Sequence, residues 1–199
     1  MKQKRFVCFV ASFLLCMVFI GCAPSASTIV SLSRERYSPN INHENYTNYK
    51  GTTILLATII DKSGTPNLAY YSPDRTVGYQ LFYTSSAIIN QPVVSFFWYA
   101  LQKGFERAGI VIIPGGPIYD TEMTLTLQSV SDREIVFDVL FTKMGKRLYK
   151  HTYSVKSHGA PTNDVAVLEK RAYEMIDGMV LSILEDPDFK KIRNYSASF

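Results

Sequence analysis

The 199-residue sequence predicts an α+β domain, a mostly antiparallel sheet with two helices packed on one face. Three observations carry that expectation. Apolar residues recur at spacings of three and four in the stretches 92–108 and 164–184, the period of a half-buried helix. Between them, "TEMTLTLQSV", "EIVFDVLFT" and "RLYKHTYSV" alternate or run apolar over strand-length windows. The order is strands, helix, strands, helix with short connections, which gathers the helices onto one side of a sheet.

Each element has its own justification. "TTILLATII", Thr52 to Ile60, is β-branched and apolar almost throughout, the composition of a strand buried on both faces. "DKSGTPNLAYYSPDR" is broken by Gly64, Pro66 and Pro73 and reads as turns around a short extended piece. "TVGYQLFYTSS" places Val77, Tyr79, Leu81 and Tyr83 at alternate positions of another strand. Pro92 opens the first helix, whose stripe is Val94, Phe97, Leu101, Phe105 and Ala108, and Gly109 stands where a left-handed cap is wanted. "IVII", Ile110 to Ile113, follows as a short buried strand, then "PGGP" as an abrupt turn.

Met123, Leu125 and Leu127 fall on one face of the next strand and Glu122, Thr124, Thr126 and Gln128 on the other. Lys143-Met144-Gly145-Lys146 separates the two strands after it, a hairpin signal with glycine where positive φ is useful. Thr162 to Asp164 can cap the second helix. Its stripe is Val165, Leu168, Ala172, Met175, Ile176, Met179 and Ile183, and Asp186-Pro187 ends it. "DFKKIRN" adds one more turn.

The amino end is of a different kind. Lys2, Lys4 and Arg5 precede an uncharged apolar run from Phe6 to Ile20, and small Gly21 stands just before Cys22. This is the layout of a signal peptide, shorter than the ~20 apolar residues a membrane span needs. "FIGC", Phe19 to Cys22, resembles the lipobox of bacterial lipoproteins, with Phe19 where that family more often has Leu. The resemblance implies cleavage between Gly21 and Cys22, a diacylglycerol on the Cys22 thiol and an acylated amino terminus. Several acyl chains, at about 0.8 kcal/mol per buried CH₂, hold a protein on a bilayer stably where one does not.

The expected organisation is therefore a signal peptide over 1–21, a lipidated N-terminus and flexible tether over 22–50, one periplasmic domain over 51–194 and a frayed tail over 195–199. The tether, "APSASTIVSLSRERYSPNINHENYTNYK", has little periodicity. As a coil it spans about 30 Å and reaches at most near 90 Å. Within it "IVSLS" has the composition of a short edge strand, which would dock part of the tether. Ala23, in place of the Asp associated with inner-membrane retention, points to the outer membrane, facing the periplasm.

Composition then excludes several classes. The chain has 21 Lys+Arg against 17 Asp+Glu; without Lys2, Lys4 and Arg5 the balance is 18 to 17. A nearly neutral surface carries no electrostatic footprint for nucleic acid. Cys8 and Cys16 leave with the signal and Cys22 carries lipid, so the domain has no thiol for a disulfide, a nucleophile or a metal. It is large enough to fold on its core alone.

No catalytic arrangement, metal site or cofactor motif emerges. His43, His151 and His158 lack the i, i+4 spacing of a metal-binding helix, and no G-x-S-x-G is present. "IIPGGPIYD" has glycines without the Lys-Ser/Thr of a phosphate-cradling loop. The acids Asp120, Glu122, Asp132, Glu134 and Asp138 flank or sit on strands, where exposed carboxylates are ordinary.

The aromatic density is the sharper signal. Tyr70, Tyr71, Tyr79, Phe82, Tyr83, Phe96, Phe97, Trp98 and Tyr99 fall within thirty residues. Some are core; Phe82, Trp98 and Tyr99 are the candidates for an apolar face that docks an envelope protein partner or shields lipid chains.

Three segments carry a wider resemblance: "FFWYALQKGFERAGIVIIPGGPIYDTEMTLTLQSV", the hairpin strands after it, and "YEMIDGMVLSILEDPDFKKIRN". Together they resemble small bacterial envelope lipoproteins of the YajG-like group. More loosely, they resemble the PqiC-like auxiliary lipoproteins of ABC-type lipid transport and the periplasmic domain of curli-secretion lipoproteins. The resemblance rests on element order and hydrophobic pattern over roughly 52–194, and no catalytic string comes with it. It implies a non-enzymatic adaptor or accessory subunit of an envelope assembly, lipid transport among them. The competing readings are a secretion-channel subunit and an activator of an envelope enzyme.

Overall fold

In the computed structural model of the chain, residues 27–64, 69–72, 75–82, 92–116 and 118–196 are described. The signal peptide, Cys22 and the residues up to 26 lie outside them.

The alternating segments build a five-stranded sheet from β2 (Thr53–Asp61), β5 (Val111–Ile113), β6 (Thr121–Val130), β7 (Glu134–Lys143) and β8 (Lys146–Lys156), in the order β5-β2-β6-β7-β8. β6, β7 and β8 form the expected antiparallel meander. β2, however, lies between β5 and β6 and is parallel to both. The sheet is therefore mixed, a correction to the mostly antiparallel expectation. The physical reason is connectivity. Helix α1 (Pro92–Arg107) stands between β2 and β5 in the chain, and a helical crossover returns the next strand in the same direction.

β2 also corrects the expectation of a strand buried on both faces. Ile54, Leu56 and Ile59 are buried while Ala57, Thr58 and Ile60 are exposed. Leu56 and Ile59 are three apart, so they share a face only because a bulge intervenes: Leu56 pairs Met123 and Thr58 pairs Thr124, leaving Ala57 as the extra residue.

Gly109 caps α1 as its sequence position suggests. Its φ is +87°, and the amides of Gly109 and Ile110 donate to the carbonyls of Glu106 and Phe105, satisfying the last turn. Asp164 caps α2 (Val165–Glu185), its carboxylate accepting from the amides of Ala166 and Val167 at 2.9 and 3.2 Å. α3 (Pro187–Ser196) follows at once.

The two long helices touch each other; α1 also contacts β2, β5 and β4 (Arg75–Phe82), and α2 contacts β8 and β1 (Ser27–Ser33). Met123, Leu125, Phe137, Val139 and Phe141 of the sheet are fully buried, as are Phe96, Leu101 and Phe105 of α1 and Met179, Val180 and Ile183 of α2. They form one apolar core.

The largest departure concerns the expected tether. β1 pairs parallel with β4, and β4 pairs antiparallel with β3 (Ala69–Ser72), making a second, three-stranded sheet in the order β1-β4-β3. Beyond β1 the chain keeps to the domain surface. Tyr37, Ile41, Tyr46 and Tyr49 are all buried in the core, the last two from a 3₁₀ segment, His43–Tyr49. From Ser27 onward the segment is thus a docked part of the fold, well beyond the short strand suggested by "IVSLS".

Candidate functional site

The docked amino-terminal segment is fixed by four tyrosines whose rings supply apolar area and whose hydroxyls find specific partners, as buried tyrosines require. Tyr37 donates to Asp177 Oδ1 at 2.6 Å, and the amide of Asn40 donates to Oδ2 at 3.2 Å. Tyr173 donates to the carbonyl of Ser33 and accepts from its amide, both at 3.1 Å. Tyr46 reaches Glu185 at 2.9 Å and Tyr49 the carbonyl of Leu184 at 2.8 Å. The Lys103 ammonium, on α1, donates to the carbonyls of Arg34 and Tyr37. Residues 33–49 are thereby stitched along α2 from Tyr173 to Glu185.

Asp177 is the buried charge at the centre of this seam. Burial raises its carboxyl above the ordinary range, against hydrogen bonds from Tyr37 and Asn40 that lower it. Desolvation, with Asp177 beside it, pushes the Tyr37 hydroxyl far upward, so it stays protonated and donating. Arg36, Asn40, Glu169, Tyr173, Glu174 and Asp177 line an open cleft of about 350 Å³.

A second polar centre lies where α2 meets α3. Asp186 Oδ2 accepts from Tyr149 at 2.7 Å and Tyr153 at 3.0 Å, and Oδ1 accepts from the amides of Asp188 and Phe189. Burial would raise the Asp186 carboxyl, but these four donors outweigh it and hold it below its usual value. Half-exposed His151 stands between Tyr149 and Tyr153 on β8, its Nδ1 3.6 Å from Asp186 and its ring stacked on theirs. Asp186 both caps α3 and ties the helical elbow to β8, which accounts for every contact structurally. Among the described residues no group of three or more His, Cys, Asp or Glu could hold a metal. His43 lies at the start of the 3₁₀ segment, on a cleft of about 470 Å³ shared with Lys50, Glu106 and Arg107, and His158 lies exposed in the loop after β8.

Of the three aromatic residues expected to form a docking face, Trp98 and Tyr99 have described side chains and Phe82 a described backbone. Trp98 is half-buried against the core, and its indole N–H donates to the carbonyl of Leu56 at 3.1 Å. That carbonyl borders the β2 bulge, so the bond ties α1 to the irregular part of the strand. Tyr99 packs edge-on against Trp98, with centroids 5.0 Å apart, and carries the Arg34 guanidinium 4.4 Å above its ring. Phe82 is placed by its backbone, opposite Ser33 at the end of β4. The seam tyrosines were missed by sequence reading, because Tyr37, Tyr46 and Tyr49 follow no strand or helix period.

No family model matches the chain, and no curated protein does. Among solved structures, the fold is similar to protein XCC0632 from Xanthomonas campestris, described as DUF330. The two are 10% identical over 87% of this chain and 99% of that one, with a TM-score of 0.47. An uncharacterized protein is similar at 11% identity, covering 67% of this chain and 93% of its own, with a TM-score of 0.39.

Proposed function

We propose that the chain is a non-enzymatic lipoprotein, anchored through acylated Cys22 to the outer membrane, where it faces the periplasm as an accessory subunit of an envelope assembly. One observation carries the reading. The lipobox-like "FIGC" ends only five residues before Ser27, the first residue of a strand built into the domain. Five residues reach at most about 18 Å, so an acylated Cys22 would hold the domain close against the bilayer. The 90 Å leash expected for a free tether does not survive the docking of residues 27–50. Partners would therefore be proteins or lipids of the membrane surface itself, and lipid transport is the assembly type that best suits such a position.

Labelled palmitate supplied to cells tests the anchor. The wild-type chain is expected to incorporate it and fractionate with membranes, and Cys22→Ser to do neither; incorporation by the Ser variant would sink the reading. The accessory role is tested by crosslinking in intact cells. One envelope protein is expected to be captured by the wild-type chain and lost from Tyr99→Asp, a half-buried position, with a cooperative melting transition retained by the variant as the control for folding.

A further inference from the structure

The β7–β8 hairpin ends in a turn that breaks a local rule. Met144 and Gly145 both have positive φ, 49° and 75°. A two-residue turn of this kind favours Asn, Asp or Gly at its first position, because a side chain with more bulk is strained there. Here the position holds a methionine that is 91% exposed. Beyond the turn, Thr142 pairs Arg147 and Phe141 pairs Tyr149, so Leu148 is the extra residue of a bulge, and it too is exposed.

The charged residues of the tip itself, Lys143 to Lys150, are all cationic. Lys146, Arg147 and Lys150 are exposed, and no acid occurs between Asp138 and Asp164. Of the acids on packed elements, Glu122 stands opposite Thr142 on β6, Asp138 of β7 is held by Thr152 and lies within electrostatic reach of Lys150, and Asp186 is occupied by the hydroxyls of Tyr149 and Tyr153. The rest of the chain beyond Cys22 is close to charge balance, which makes this hairpin its most cationic projection.

We infer that the β7–β8 tip is a membrane contact: Met144 and Leu148 enter the interface of a bilayer containing anionic phospholipid, while Lys146, Arg147 and Lys150 bind its headgroup phosphates. A narrow convex tip finds little area on a flat protein face, whereas a bilayer interface closes around it and accepts a flexible thioether chain. The contact adds a second point of attachment to the anchor proposed above. It does not depend on acylation, since it acts through its own charges and apolar groups.

The test uses the full chain with Met144→Cys carrying an environment-sensitive fluorophore; the native cysteines are confined to positions 8, 16 and 22. Vesicles are made of phosphatidylcholine alone or mixed with phosphatidylglycerol. The label is expected to shift to the blue only with phosphatidylglycerol and to revert in high salt. Replacing both Lys146 and Arg147 by Gln should weaken the response about twenty-five-fold, each cation near an anionic surface contributing about a factor of five. On the unacylated Cys22→Ser chain, Met144→Asn, which suits the turn, should weaken flotation with the mixed vesicles while the domain melts cooperatively. Flotation with neutral vesicles reads the acyl anchor separately. The inference is overturned by an unshifted label at position 144, or by an equal shift from a label at Lys170→Cys on the exposed side of α2.

Discussion

Asp177 within α2 and Asp186 at its end are two carboxylates whose surroundings drive them in opposite directions. Asp177 binds its proton more tightly in the folded state. Its contribution is present below the unfolded value of about 3.9 and is lost as pH rises through the raised folded value. Asp186 is the reverse: its contribution is present above about 3.9 and is lost as pH falls through the lowered folded value. Urea midpoints across a pH series should therefore show the advantage of wild type over Asp177→Asn shrinking above pH ~4, and that over Asp186→Asn shrinking below it. Parallel slopes for the two variants would contradict the assigned hydrogen bonds. At the hairpin, Met144→Asn removes a bulky left-handed residue and should stabilise the domain by about 1 kcal/mol, a few degrees in Tm. A gain there, together with weaker vesicle binding, would mean that the methionine is kept at the expense of stability.

Among the elements, close contact between helix and sheet depends on one missing side chain. A Cβ on Gly178 of α2 would stand 2.6 Å from Val155 Cγ1 of β8, and valine has little rotameric freedom to yield. Gly178→Ala gains about 1 kcal/mol of helix propensity but forces α2 from the sheet, for an expected net loss of 1 to 2 kcal/mol. Combining it with Val155→Ala should recover most of that loss in a double-mutant cycle of melting curves; simple additivity would show that the two do not meet. Elements like these were legible in the sequence. The meander, α1 with its Gly109 cap, and α2 from Asp164 to Asp186 are written in local periodicity and capping residues. The bulges were not, because they appear only when two strands are laid side by side. Nor was the bond from Trp98 to Leu56, by which a residue expected to meet a partner also satisfies the backbone of β2. The pairing of β1 with β4 and of β2 with β5 and β6 escaped for the same reason: parallel partners are distant in sequence, and periodicity carries no register.

For the whole molecule, the amino-terminal segment decides where the domain begins. Tyr37, Ile41, Tyr46 and Tyr49 are buried, and at about 2 kcal/mol each their loss would be of order 8 kcal/mol, comparable with the entire stability of an ordinary domain. A chain starting at Thr52 should therefore lack a cooperative melting transition, whereas a free tether could be removed at no cost; circular dichroism on heating distinguishes the two. Composition concealed this, since Ser, Asn and Thr around scattered tyrosines resemble a linker.

β1 is held against β4 over seven paired residues lying side by side in the same direction, with the tyrosine clasp immediately behind it. A tug on the amino end along that strand strains the whole row of bonds together, as in shearing a lap joint, and cannot open them singly as a zipper does. Whatever drag the surrounding envelope exerts on the protein would then be borne by a segment loaded in shear, and in a pulling experiment the domain should yield in one abrupt step.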